Sequence, residues 1–280
     1  MNLEDIVIRR MSEAELCLAF DWAAAEGWNP GLHDAESFYA VDPEGFFIAE
    51  RAGEPLGCIC GVAYDETFGY VGLFIVRPPY RGQGVGLQLF EVALRHVEGR
   101  NVGLDAAIAM QETYGRYGFK FAHRVIRHQC IGGGESPFDV TELASVPFDE
   151  IVRYDATVFP VSRAKFLSSW IAQPRSAALA FMTHGRLAGY GVLRACREGY
   201  KIGPLFADDP RIADMLFQGL CARAAGAPVF LDTPEANPAA IELARRRKMT
   251  PVFDTARMYT RGTPQGRIEH CYGVTTFELG

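Results

Sequence analysis

The sequence has no uninterrupted apolar stretch approaching the roughly 18 residues that a membrane helix needs, so no membrane partner is expected. Its start, Met1-Asn2-Leu3-Glu4-Asp5, lacks the basic and apolar stretches of a secretion signal, and a cytoplasmic location is expected. A basic excess is missing too: 28 Lys and Arg against 34 Asp and Glu give a formal charge of −6. That balance argues against a nucleic-acid binder and weakly favours cationic substrates such as amines. Cysteine occurs at seven scattered positions, an odd number without zinc-ligand spacing. Cys58 and Cys60 are two apart on an apolar strand, but two thiols alone hold no metal, and none is expected. All seven read as reduced and mostly buried. What is present is ordinary for a small-molecule enzyme: 49% hydrophobic and 22% charged residues. The 280 residues suit two domains of about 130 to 140 residues each.

Periodicity divides the first half into a strand at 5–10, a helix opened by Ser12 with Glu15 in a capping box, and a short helix at 34–40. A hairpin at 46–51 and 56–64, a strand at 71–76, a helix from 87 to about 98, a strand at 102–108, a short helix at 111–117 and a strand at 120–130 follow. The order is β-α-α-β-β-β-α-β-α-β, a mixed α/β (α+β) sheet. Gly132-Gly133-Gly134 cannot hold regular structure cheaply and marks a boundary. The expected division is a domain at 1–133, a linker at 134–144 and a second domain at 145–280.

The second half repeats the first. Tyr70 falls on Tyr200, Arg81 on Arg211 and Gln88 on Gln218, each 130 residues later, and Val102-Gly-Leu-Asp105 pairs with Val229-Phe-Leu-Asp232. Recurrence of Asp105 as Asp232 favours a structural role common to both halves. The copies differ in one loop. Gly82, Gly84 and Gly86 precede a helix in the first half; Ile212, Asp214 and Leu216 replace them in the second. Glycines there let backbone N–H groups at a helix start approach an anion, assisted by Arg81, whereas side chains block that approach and Asp214 repels it.

A P-loop is excluded because the loop ends Gly86-Leu87-Gln88 rather than in Gly-Lys-Ser/Thr. A dinucleotide fold is disfavoured because the loop follows the fourth strand and its glycines have the wrong spacing. Arg81-x-x-Gly84-x-Gly86 after Phe74-Ile75-Val76-Arg77-Pro78, together with Tyr114-Gly-Arg-Tyr-Gly118-Phe119, resembles the GNAT superfamily of N-acetyltransferases. The chain as a whole resembles bacterial tandem GNAT proteins whose second GNAT domain is divergent. The resemblance implies acetyl-CoA as co-substrate, held by Phe74, Ile75, Val76, Arg81, Gly82, Gln83, Gly84, Val85, Gly86, Leu87, Tyr114 and Tyr117. It further implies an oxyanion donor at the backbone N–H near Val76 and Tyr114 as the acid that protonates the departing thiolate. In the second half Ala244 stands at the tyrosine position, so one active site is expected.

The acceptor side is less defined. Glu26, Trp28 and Asn29 lie in the segment that lines the acceptor site in this fold, and Glu26 is the first candidate base. Equally, Glu26 reads as a solvated helix end and Trp28 as a core residue. His33, Asp34, Glu66 and Asp105 are further base candidates by position. Asp155, Arg163 and Trp170 flank Phe159-Pro160 and are expected to face a cleft between the halves, with Asp155 contacting substrate. The expected activity is direct acetyl transfer to a primary amine of a small molecule, such as an amino acid, polyamine or amino sugar, by a monomer or homodimer. The alternatives are a protein N-terminal or lysine acetyltransferase, or a non-catalytic acetyl-CoA-binding regulator.

Overall fold

The computed structural model describes residues 5–280. The first half comprises β1 (Val7–Arg10), α1 (Leu16–Ala25), α2 (Asp34–Val41), β2 (Phe46–Arg51), β3 (Glu54–Ala63), β4 (Phe68–Val76), α3 (Val85–His96), β5 (Asn101–Ala107), α4 (Gln111–Gly115) and β6 (Lys120–Ile131). The second comprises β7 (Val140–Glu142), α5 (Phe148–Val158), α6 (Ala164–Trp170), β8 (Ser176–Thr183), β9 (Arg186–Ala195) and β10 (Tyr200–Ala207). It continues with α7 (Pro210–Ala222), β11 (Pro228–Pro234), α8 (Pro238–Arg246), β12 (Thr250–Tyr259) and β13 (Cys271–Gly273). The element order of the first half is the one its periodicity predicts. The expected capping box forms, Glu15 accepting from the Ser12 N–H at 2.8 Å. One detail differs: β7, inside the segment expected as linker, pairs with β8.

All these strands belong to one sheet, ordered β1-β2-β3-β4-β5-β12-β6-β11-β10-β9-β8-β7, with β13 on β10. The two halves therefore exchange strands. β12 of the second half lies antiparallel between β5 and β6 of the first, and β6 lies between β12 and β11. The repeated aspartates hold this exchange. Arg257 on β12 binds Asp105 on β5, and Arg127 on β6 binds Asp232 on β11 through two bonds of 2.7 and 2.8 Å. Each buried carboxylate thus neutralises an arginine from the opposite half, as burial of either charge requires.

One face of the sheet carries a core continuous across both halves, including Phe20, Phe38, Phe46, Phe166, Trp170 and Tyr190. Phe38 of α2 stacks on Trp170 of α6 at 6.3 Å. On the other face, α3 covers the first half through Val85, Leu89, Phe90 and Ala93, while α7 and α8 cover the second. Those apolar residues recur at helical spacing, which turns one stripe of each helix onto the sheet.

Candidate active site

β4 and β5 pair in parallel only from Phe68–Asn101 to Val71–Leu104. Against β3, the step from Gly72 to Ile75 opposes the shorter step from Cys60 to Cys58, a bulge centred on Leu73 with φ 45°. A bulge bends its strand and adds local twist, so β4 leaves β5 here and a gap opens between them. Gly82 and Gly84, with φ 71° and 84°, turn the following loop back, and Gly84 is the N-cap of α3. A Cβ on Gly86 would lie 3.3 Å from Phe74 and Val76, so the first turn of α3 runs close against β4 beside the gap. Unpaired N–H groups at such a helix start favour an anion.

The Arg77 N–H donates to Leu56 on β3 at 2.9 Å. Because backbone groups alternate along a strand, the N–H and carbonyl of Val76 face the open side. Arg81 Nε donates to that carbonyl at 2.8 Å, and its guanidinium pairs with Glu26. Tyr114, on α4, packs on Phe90 and Phe119 at centroid distances of 5.5 and 6.2 Å. Burial pushes its hydroxyl up to about 12, so the phenol keeps its proton at neutral pH.

A cavity of about 430 Å³ occupies the gap. Its first-half walls include Phe74, Ile75, Val76, Arg81 and Tyr114, together with Glu26 and Trp28. Its remaining walls come from the strand exchange and from the segment after β13: Arg127, Phe253, Thr255, Phe277 and Glu278. The Trp28 carbonyl accepts from both Arg127 and Lys201 at 3.1 Å, and the Asn29 side chain makes two hydrogen bonds to the Glu198 backbone. The second half therefore clamps the acceptor-side segment of the first.

The equivalent gap of the second half is filled. β10 and β11 pair from Tyr200–Val229 to Ile202–Leu231, after which β13 pairs with β10 and Val274 donates to the Asp232 carbonyl. The N-terminal amides of α7 are occupied by the Asp209 carboxylate, at 2.8 Å from Arg211 N and 2.9 Å from Ile212 N. Ile212, Leu216 and Ala244 are core residues, and Asp214 is bound by Arg247. Nothing remains there for an anion to approach.

The structure brings together Glu26, Trp28, Phe74, Ile75, Val76, Arg81 and Tyr114 on one cavity. Gly82, Gln83, Val85, Gly86 and Leu87 lie in or beside the loop at its edge. Two expectations, those for Asp155 and Asn29, need correction. Asp155 faces no cleft: it is fully buried and binds Arg163 through two 2.8 Å bonds and the Tyr190 hydroxyl at 2.5 Å. Tyr117 is 40% exposed and leans on Phe90 outside the cavity. Asn29 serves the seam between the halves. Of the other base candidates, Asp34 is spent on Arg194 and Asp105 on Arg257. The contributions of Phe253, Thr255, Phe277 and Glu278 carry no motif. Only the pairing of Arg127 with Arg257 under the 130-residue repeat hinted at the exchange that brings them there. No group of His, Cys, Asp or Glu among the described residues is arranged to hold a metal, and no helix there is long and apolar enough to cross a membrane.

Comparison with known proteins agrees with this architecture. Residues 12–119 match the acetyltransferase (GNAT) family and residues 151–273 an acetyltransferase (GNAT) domain. The chain is 30% identical over 263 residues to the holothin acyltransferase of Pseudoalteromonas sp. (strain SANK 73390), covering 93% of this chain and 90% of that protein. A putative acetyltransferase from Pyrococcus horikoshii superposes with a TM-score of 0.85 at 22% identity, covering 100% of this chain and 98% of the other. A tandem GNAT protein from the clavulanic acid biosynthesis pathway superposes with a TM-score of 0.62 at 11% identity, over 91% and 98% of the two chains. The chain belongs to the GNAT acetyltransferases and carries two GNAT-like domains. It is an acetyl-CoA-dependent acyltransferase.

Proposed function

We propose that the protein transfers an acetyl group from acetyl-CoA to a primary amine of a small molecule, by direct attack within a ternary complex. The observation carrying this reading is that Phe253, Phe277 and Glu278 join the gap between β4 and β5 in lining one cavity, which narrows its acceptor side. A protein surface lysine or N-terminus suits a groove open along its length better than a cavity narrowed by residues of the other half.

In this reading the loop from Gly82 to Leu87 holds the pyrophosphate through its backbone N–H groups, and the thioester reaches the gap beside Val76. The Val76 N–H stabilises the oxyanion as the amine adds to the carbonyl carbon. Tyr114 gives its proton to the departing sulfur, a role its raised pKa supports by keeping it protonated. Acetyl transfer to an oxygen or to a protein is the competing outcome.

The test is release of free thiol from acetyl-CoA against a panel of small amines, small alcohols and peptides. The reading expects release with amines, and a fall of about 100-fold in kcat for Tyr114→Phe with the acetyl-CoA Kd within twofold of wild type. Thiol release only with peptides, or binding of acetyl-CoA without release on any member, overturns it. A Tyr114→Phe variant that loses acetyl-CoA affinity instead of rate makes Tyr114 a packing residue.

A further inference from the structure

The segment 274–280 crosses from the second half to the bulge of β4. A Cβ on Gly72 would lie 2.0 Å from the Glu278 carbonyl oxygen, so the two backbones touch at a position without a side chain. The Tyr64 hydroxyl donates to the Leu279 carbonyl at 2.8 Å, and the Leu279 N–H donates to the Thr276 hydroxyl at 2.9 Å. Leu279 is buried in the common core. The segment is thus held on both sides of Glu278, and the Glu278 side chain lines the cavity.

Glu278 is only 6% exposed, and among the described residues its carboxylate has no hydrogen-bond or ion-pair partner. Its oxygens are not among the fully buried atoms left without a partner, so they keep contact with open space, and lightly exposed carboxylates of this kind collect at functional sites. The neighbouring arginines are already paired. Arg127 is taken by Asp232, Arg194 by Asp34, and Lys201 donates to the Trp28 carbonyl. On the other wall Arg81 is paired with Glu26, and Asp105 accepts from Arg257, Tyr70 and Thr255. Glu278 is left as the acceptor-side carboxylate facing the cavity with open lone pairs.

We propose that Glu278 is the general base of the transfer, and that the acceptor is an amine with a flat apolar body and no acid group. This rests on the amine-acetyltransferase reading above. Trp28, Phe253 and Phe277 supply apolar surface along the cavity, while both arginines on the walls are neutralised, so an acid group on the acceptor meets no unpaired arginine there. The step balances within these residues. The amine nitrogen bonds to the thioester carbon, the carbonyl electron pair moves to oxygen, and the N–H proton passes to Glu278. The carbonyl re-forms, the carbon–sulfur bond breaks, and sulfur takes the Tyr114 proton. One proton then passes from Glu278 to the tyrosinate through solvent, which restores both groups and leaves amide and free thiol.

The experiment is steady-state thiol release by wild type, Glu278→Gln and Glu278→Asp across pH 5.5 to 9.5, with arylalkylamines and amino acids as acceptors. Titratable groups around Glu278 are Arg127 on β6, Arg194 and Lys201 on β9 and β10, and Cys60 on β3. Across the cavity stand Glu26, Arg81, Asp105 and Tyr114, all unchanged in the variants. The expected result is a kcat fall of about 100-fold in Glu278→Gln with the acetyl-CoA Kd within twofold, and loss of the acidic limb of the pH profile. Glu278→Asp keeps the charge that faces Arg127, Arg194 and Lys201, so it guards against a folding defect; it retains that limb at an intermediate rate. Arylalkylamines exceed amino acids in kcat/KM by at least tenfold. An unchanged kcat and pH profile, or a raised acceptor KM with kcat kept, overturns the base role. A best acceptor bearing a free carboxylate overturns the substrate class. Wild type that releases no thiol with any amine removes the amine-transfer reading and this inference together, whereas an active wild type matched by Glu278→Gln removes the inference alone.

Discussion

Arg257→Met interrogates the strand exchange. Arg257 belongs to the second half, yet its guanidinium binds Asp105 of the first, with Nε at 3.2 Å and Nη2 at 2.5 Å from the two oxygens. The two side chains are 8% and 0% exposed. Methionine fills much of the space of the arginine stem and leaves Asp105 with the Tyr70 hydroxyl at 2.8 Å and the Thr255 hydroxyl at 3.2 Å. Removing one partner of a buried ion pair costs about 3–5 kcal/mol because the other charge stays buried. The two remaining hydroxyls place the expectation near about 3 kcal/mol, each such bond contributing about 1 kcal/mol. Asp105→Asn on the same background removes the stranded charge, so the double variant loses less than the sum by about 2 kcal/mol. Urea unfolding followed by circular dichroism and tryptophan fluorescence reads both quantities. Trp22 and Trp28 report on the first half and Trp170 on the second, so the exchanged sheet demands one coincident transition. A loss under about 1 kcal/mol, or separate transitions for the two signals, refutes the exchange as the bond between the halves.

Two further predictions follow from the same geometry. Burial, then the nearby Arg257 charge, lowers His123 to about 4, whereas an unfolded histidine titrates near 6.5. The unfolded chain therefore binds the extra proton first, and stability falls as pH drops from about 6.5 towards 4, by roughly 3 kcal/mol from this residue. His123→Phe, the residue type at the repeat position Phe253, flattens that part of a stability-against-pH curve; a curve that keeps its slope contradicts the assignment. Gly72→Ala drives a methyl group into the Glu278 carbonyl and so shifts segment 274–280. It is expected to lower kcat at least tenfold with acetyl-CoA affinity retained, and unchanged turnover would show that the placement of this segment is immaterial.

Much of the first half was legible because its signals are local. The glycines at 82, 84 and 86, the strand before them and Tyr114 after them sit within one stretch of chain, and their structural neighbours are their sequence neighbours. The repeat was legible through Asp105 and Asp232, and their shared structural role follows from the arginines they bind. What was not legible is long-range pairing. β6 and β12 are both long enough to fit several places in a sheet, and nothing in either specifies that β12 enters between β5 and β6. The cavity residues Arg127, Phe253, Thr255, Phe277 and Glu278 depend on that exchange or on the segment behind β13. Asp155 was misplaced for the related reason that a cleft was expected between the halves, where the structure has a continuous core around Trp170 and Tyr190. Glu278 has no motif around it; its meaning arises only from the backbone contact at Gly72.

The central claim is that one gap serves the donor and that the chain itself fills the other. Calorimetric titration with acetyl-CoA tests it most directly. The account predicts one molar equivalent bound per chain, abolished by Gly82→Val and Gly84→Val, which force side chains into left-handed backbone. Two equivalents, or one that survives both substitutions, would contradict it.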